Sequence, residues 1–220
     1  MNEFLRPGRY IDSDHPAVVA FSKNNSSGET DRERAVSLYY ATRDSIRYNP
    51  FLDFSKEETF QASRCITAGE GFCIGKAALL AACARAAGIA ARVGFADVKN
   101  HLTTPALRER MGTDLFVYHG YAEMLIEGKW VKATPAFNVE LCRRFHVKPL
   151  EFDGREDSIF HPFDEQDRRH MEYLRDRGSH ADVPVAEIMR VFRETYPLLV
   201  QAGREAAGGL GSQAAKEQFG

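Results

Sequence analysis

Two residues carry the chemistry that this sequence could do. Cys73 follows Gly69-Glu70-Gly71-Phe72 and opens the run CIGKAALLAACARAA, residues 73–87. That run is rich in strong helix formers. A cysteine at a helix start sits among unpaired N–H groups and a partial positive charge. Both favour a thiolate, which is the nucleophilic form. Two closely spaced glycines would let a carbonyl approach the backbone, where the Cys73 N–H could hold an oxyanion. His119 is the candidate base, with a ring that titrates near neutral pH. Cys65, Cys83 and Cys142 read as small buried hydrophobes.

The elements around these residues can be placed from pattern alone. Phe116–Ile126 and Lys129–Thr134 read as strands joined by Glu127-Gly128, a hairpin signal. A two-residue turn there pairs Glu123 with Lys132, an opposite-charge pair, and Leu125 with Trp130. By alternation His119, Tyr121, Trp130 and Thr134 share one face, with Thr134 diagonal to His119. Lys76 and Arg85 are the charged residues of the 73–87 helix, so most of its faces should be buried. Gly88 suits the left-handed position beyond its last turn. Ile89–Val98 reads as a strand.

Upstream, Thr30 and Glu33 have capping-box spacing. The helix they open carries Ala35, Leu38, Tyr39, Thr42 and Ile46 on one face and stops before Pro50. His15-Pro16 opens a shorter helix. Residues 51–72 read as irregular or a short helix, 99–114 as an insertion, and 138–180 as mixed and polar without a clear period. Val185, Ile188, Met189 and Phe192 mark an amphipathic helix after Pro184. The expected organisation is a single domain over 1–200, with core motifs at 30–138, a C-terminal extension packed on it at 139–200, and a flexible tail at 201–220.

Composition bounds the function. The chain has 220 residues, 44% hydrophobic and 27% charged, with a formal net charge of -2. This is ordinary for a globular protein with a sizeable core. No basic excess points to nucleic acid, and Arg143-Arg144 and Arg168-Arg169 read as solvated pairs. No stretch approaches the roughly 20 apolar residues of a membrane span, and no signal-peptide pattern opens the sequence. A cytoplasmic protein is expected. The four cysteines include no C-x-x-C pair, and no acidic loop has calcium-binding spacing, so no metal or cofactor is expected. A metal site from Cys73, His101 and His119 is a minor alternative.

These motifs together resemble a known family. Gly71-Phe72-Cys73 leading into the Ala/Leu-rich helix, then Arg85-Ala86-Ala87-Gly88-Ile89-Ala90-Ala91-Arg92-Val93, is similar to the catalytic-cysteine segment of bacterial transglutaminase-like proteins. His119-Gly120-Tyr121-Ala122-Glu123-Met124 and Gly128-Lys129-Trp130-Val131 resemble the family's histidine strand and its continuation. Ile46-Arg47-Tyr48 resembles its lead-in. The resemblance implies an α+β, papain-like/transglutaminase core with a cysteine helix packed on an antiparallel sheet. It implies a Cys73–His119 pair acting through a thioester on a peptide, protein or small amide substrate, hydrolysis ahead of cross-linking.

One position departs from the pattern. The family usually places an aspartate where Thr134 stands, in Trp130-Val131-Lys132-Ala133-Thr134-Pro135. A hydroxyl can accept from an imidazole N–H but cannot stabilise an imidazolium as a carboxylate does. Three readings stand: Thr134 orients His119, Asn138 does so, or the site is a degenerate peptide-binding module. Gln61 and Tyr48 are candidates, by residue type, for a side-chain oxyanion donor. Arg92 reads as structural, paired with Asp97 or Glu123.

Overall fold

The computed structural model of the chain describes residues 2–100, 105–159 and 171–205. His101, Arg168-Arg169 and residues 206–220 of the expected tail lie outside the described residues. In chain order the elements are α1 (Pro16–Asn25), α2 (Asp31–Ser45), β1 (Arg47–Tyr48), α3 (Ala62–Ala68), β2 (Glu70–Gly71) and α4 (Cys73–Ala86). They continue with β3 (Ala91–Asn100), α5 (Pro105–Met111), β4 (Leu115–Ile126), β5 (Lys129–Ala133), α6 (Val139–Phe145), β6 (Met171–His180), α7 (Val185–Thr195) and α8 (Pro197–Glu205).

α4 is the centre of the molecule. Residues Cys73 to Arg85 are all buried, as expected for a helix apolar on nearly every face. Around it pack α1, α2 and α3, and against it lies a four-stranded antiparallel sheet in the order β5-β4-β3-β6. The fold is therefore α+β, with the cysteine helix on an antiparallel sheet. The two charges of α4 are satisfied internally. The Lys76 Nζ donates to the Arg43 carbonyl at 2.8 Å and the Ile46 carbonyl at 2.6 Å, at the end of α2. The Arg85 guanidinium donates to the carbonyls of Arg6, Ala91 and Ala181, tying three distant segments together.

Local signals decide many of the boundaries. Thr30 and Glu33 form the capping box at the start of α2, and Ala35, Leu38, Tyr39, Thr42 and Ile46 are all buried. The β4–β5 hairpin has the expected register, with Glu123 opposite Lys132 and Leu125 opposite Trp130. Its turn, Glu127-Gly128, has positive φ at both residues, the primed geometry that matches strand twist. The charge pair that suggested this register is not formed. The Glu123 carboxylate takes Arg92, directly opposite on β3, at 2.6 Å, and the Ser179 hydroxyl. The Lys132 ammonium lies over the Tyr121 ring.

Four elements exceed the sequence reading. The 99–114 insertion contains α5. The 138–180 stretch, read as lacking a period, holds α6 and the edge strand β6. β6 is mostly exposed on both faces, so it has no apolar alternation to read. α8 runs to Glu205 and follows the expected amphipathic helix α7, in which Val185, Ile188 and Phe192 are buried.

Candidate active site

Cys73 is the first residue of α4. Phe72 stands at the N-cap and provides no side-chain hydrogen bond to the helix. The first N–H groups of the helix are therefore left without a capping oxygen. The Cys73 thiol is surrounded by three backbone N–H groups: its own, that of Ile74, and that of Gly120 on β4. The third of these was not foreseen from sequence. Gly120 packs so close to the helix start that an added Cβ would sit 2.9 Å from the Ile74 Cα and 3.3 Å from its nitrogen. A glycine inside a strand pattern signals such close backbone approach, and it stands directly after His119.

Cys73 and His119 line one cavity. Its walls are Tyr48, Phe54, Phe72, Val117 and Phe192, closed over by Leu107 and Met111 of α5 and by Tyr196 and Leu199 at α8. The cavity measures about 40 Å³, room for a few water molecules and far below the roughly 300–1,000 Å³ of ligand pockets. Cys73 is 8% exposed. Burial pushes its thiol up to about 11, outweighing the three N–H groups that favour the thiolate. The helix-start argument for a thiolate thus has the right donors but loses, in this closed arrangement, to desolvation.

The strand that carries His119 is irregular. β4 pairs Phe116 with Val98 and His119 with Ala96, leaving Val117 and Tyr118 together opposite Asp97. This is a β-bulge, and Tyr118 has φ +55°. Bulges next to active sites re-aim side chains.

The remaining sequence candidates are placed as follows. Thr134 is buried one residue beyond β5. Its hydroxyl donates to the Ile159 carbonyl at 3.0 Å, and its N–H to the Ser158 carbonyl at 2.8 Å. It is not among the cavity-lining residues. Asn138 turns its Oδ1 to the Tyr48 N–H at 3.3 Å. Tyr48 lines the cavity, its phenol held neutral by burial. Gln61 donates to the Arg9 carbonyl at 3.3 Å and lines a separate surface hollow. Asp97 pairs with Arg177 rather than Arg92. All four cysteines are free and buried. Among the described residues no group of three His, Cys, Asp or Glu is placed to hold a metal ion. Nor is any described helix long and apolar enough to cross a membrane.

Comparison with known proteins agrees with this architecture. The family model of the transglutaminase-like superfamily core matches residues 20–135, more than half of the chain. The match spans α2, the cysteine helix, the histidine strand and Thr134, and the chain belongs to this superfamily. No curated protein matches. Among solved structures the chain is similar to "a putative cysteine protease" from Cytophaga hutchinsonii, with 19% identity and a TM-score of 0.45. That alignment covers 80% of this chain and 53% of the other, so the chain spans about half the length of the protein it matches.

Proposed function

We propose that this member of the transglutaminase-like superfamily is a cysteine enzyme that cleaves an amide or peptide bond by acyl transfer. The observation that supports this most directly is the trio of backbone N–H groups from Cys73, Ile74 and Gly120 around a thiol that shares its cavity with His119. In the reaction His119 takes the Cys73 proton and the sulfur attacks the substrate carbonyl. The developing oxyanion is held by N–H groups at the α4 start. The histidinium protonates the leaving amine as the C–N bond breaks, leaving a thioester. Water, deprotonated by His119, then attacks the thioester; the C–S bond breaks, the acyl group leaves as a carboxylic acid, and the histidinium returns its proton to the sulfur. Hydrolysis is favoured over cross-linking because water is always at hand. Thr134, with lone pairs left after donating to Ile159, orients the His119 ring, and does so more weakly than a carboxylate would. The cavity walls favour an apolar group beside the scissile carbonyl. Four free thiols fit a reducing compartment such as the cytoplasm.

A second reading is a binding module that keeps the cleft without turnover. The threonine at the aspartate position and the raised Cys73 thiol favour it. Labelling with a panel of thiol-reactive acyl and peptide probes separates the two. The enzyme reading expects labelling at Cys73, its loss in Cys73→Ala, and slowing by about 10²-fold or more in His119→Ala, the usual weight of a general base. Equal, slow labelling of wild type and His119→Ala would favour the binding module.

A further inference from the structure

The bulge in β4 lies directly before the two residues that meet Cys73. From the anchor pair Val98–Phe116, a regular ladder would place Tyr118 opposite Ala96. The structure places His119 there instead. The extra residue therefore shifts the strand by one position, and a one-residue shift exchanges the faces of successive side chains. His119 and Gly120 reach the Cys73 site in the register that the bulge imposes.

A bulge leaves backbone groups without ladder partners, and here each freed N–H is met by a side-chain oxygen. The Tyr118 N–H donates to the Asp97 Oδ1 at 3.1 Å. The Val117 N–H donates to the Tyr196 hydroxyl at 2.6 Å, which itself donates to the Leu115 carbonyl at 2.8 Å. Asp97 is buried and held in turn by Arg177, whose Nε and Nη2 reach its carboxylate at 3.0 and 2.8 Å. The Arg177 guanidinium also stacks 4.7 Å from the centre of the Tyr118 ring, and the Tyr118 hydroxyl donates to Glu187 at 2.5 Å. Every handle on this residue holds it in a left-handed conformation that bulky side chains avoid. A conformation so strained persists only where its surroundings over-determine it.

We propose that Asp97 is a positioning residue of the site, acting through the Tyr118 N–H to hold the bulge that sets His119 and Gly120 against Cys73. This rests on the reading of Cys73 and His119 as a reacting pair. Asp97 touches neither the thiol nor a substrate, and its role runs through the backbone. Tyr196 holds the other half of the same bulge while walling the cavity.

The test is the rate of Cys73 alkylation by iodoacetamide as a function of pH, in wild type, Asp97→Ala, Asp97→Asn, Tyr196→Phe and His119→Ala, with circular dichroism to confirm folding. Asp97→Ala is expected to slow Cys73 by about 10²-fold at neutral pH, the effect of a small misplacement of a reacting group. Its pH profile should take the shape of the His119→Ala profile. Asp97→Asn keeps an oxygen for the Tyr118 N–H but gives up the charge that holds Arg177, so it should slow Cys73 by less than Asp97→Ala does. If Asp97→Ala does not fold, Tyr196→Phe, which loses only a hydroxyl, should still shift the profile in the same direction. Folded Asp97→Ala or Tyr196→Phe with the wild-type profile, while His119→Ala changes it, overturns the positioning role alone. A His119→Ala profile equal to wild type overturns the reacting pair, and the proposal with it.

Discussion

Cys73 and His119 face one cavity but are held there by different means. Cys73 is placed locally. The turn through Gly69–Phe72 delivers it to the start of α4, and two of the N–H groups around its sulfur belong to residues 73 and 74. His119 is placed remotely. The strand irregularity before it is fixed by Asp97 on β3, Arg177 on β6 and Tyr196 after α7. The proposed nucleophile is thus a property of one helix start, whereas the placing of the proposed base is assigned to a network that runs from Asp97 to Tyr196.

Gly120→Ala should strike hardest, because Gly120 is where the two modes of positioning meet. The new Cβ would lie 2.9 Å from the Ile74 Cα, a backbone atom that cannot swing aside. β4 and the α4 start must separate, withdrawing the Gly120 N–H from the thiol and displacing His119. Overpacking of this kind costs about 1–3 kcal/mol, read as a lower urea midpoint. Cys73 labelling should fall by about 10²-fold or more. A variant that loses stability but labels at the wild-type rate would show that the histidine strand need not touch the helix.

Lys76→Met tests the local side. Lys76 lies one turn beyond Cys73, fully buried, with Arg43, Asp44, Cys65 and Cys142 as its charged or titratable surroundings. Burial lowers its amine from 10.5 to about 7. Between those values the unfolded chain binds the proton that the folded chain has released, so stability rises with pH across this window. The penalty of the buried charge is felt in full below pH 7. The steepest slope from this one group is about 1.4 kcal/mol per pH unit. Lys76→Met strands the Arg43 and Ile46 carbonyls, at a cost of about 1–3 kcal/mol. The gap between wild type and variant, from urea unfolding, should widen from pH 6 to pH 8.5. Above that range the raised thiols of Cys65 and Cys73 oppose further gain, because their unfolded forms ionise first. A constant gap would mean that the amine titrates normally in the fold.

The same division explains what the sequence disclosed. α4, the Thr30 capping box and the β4–β5 register rest on contacts between near neighbours or on strict periodicity, and all were legible. The cysteine motif was legible for the same reason. The bulge was not, since its partners Asp97 and Tyr196 lie 21 and 79 residues from the N–H groups that they accept. β6 was not, because an exposed edge strand has no apolar face. Nor was the closure of the cavity by α5 and α8, which sets the Cys73 burial and so reverses the expected ionisation. Gly120 offered a clue in its place after His119, but only the packing against Ile74 gives that glycine its reason.

Thr134→Val asks whether any part of the orientation of His119 is local to the hairpin, and its effect should be the smallest. The substitution keeps the branched shape and removes one hydroxyl. The Ile159 carbonyl loses its donor, worth about 1 kcal/mol in a urea melt. If Thr134 orients the His119 ring, Cys73 labelling should also fall, by about tenfold or less, because a threonine lone pair fixes a tautomer without stabilising the charged ring. The pH profile would broaden rather than vanish, since the bulge still places the imidazole. A loss of stability at an unchanged rate would make Thr134 a strut between β5 and the 158–159 segment. It would then leave the orientation of His119 wholly to the remote network that includes Asp97.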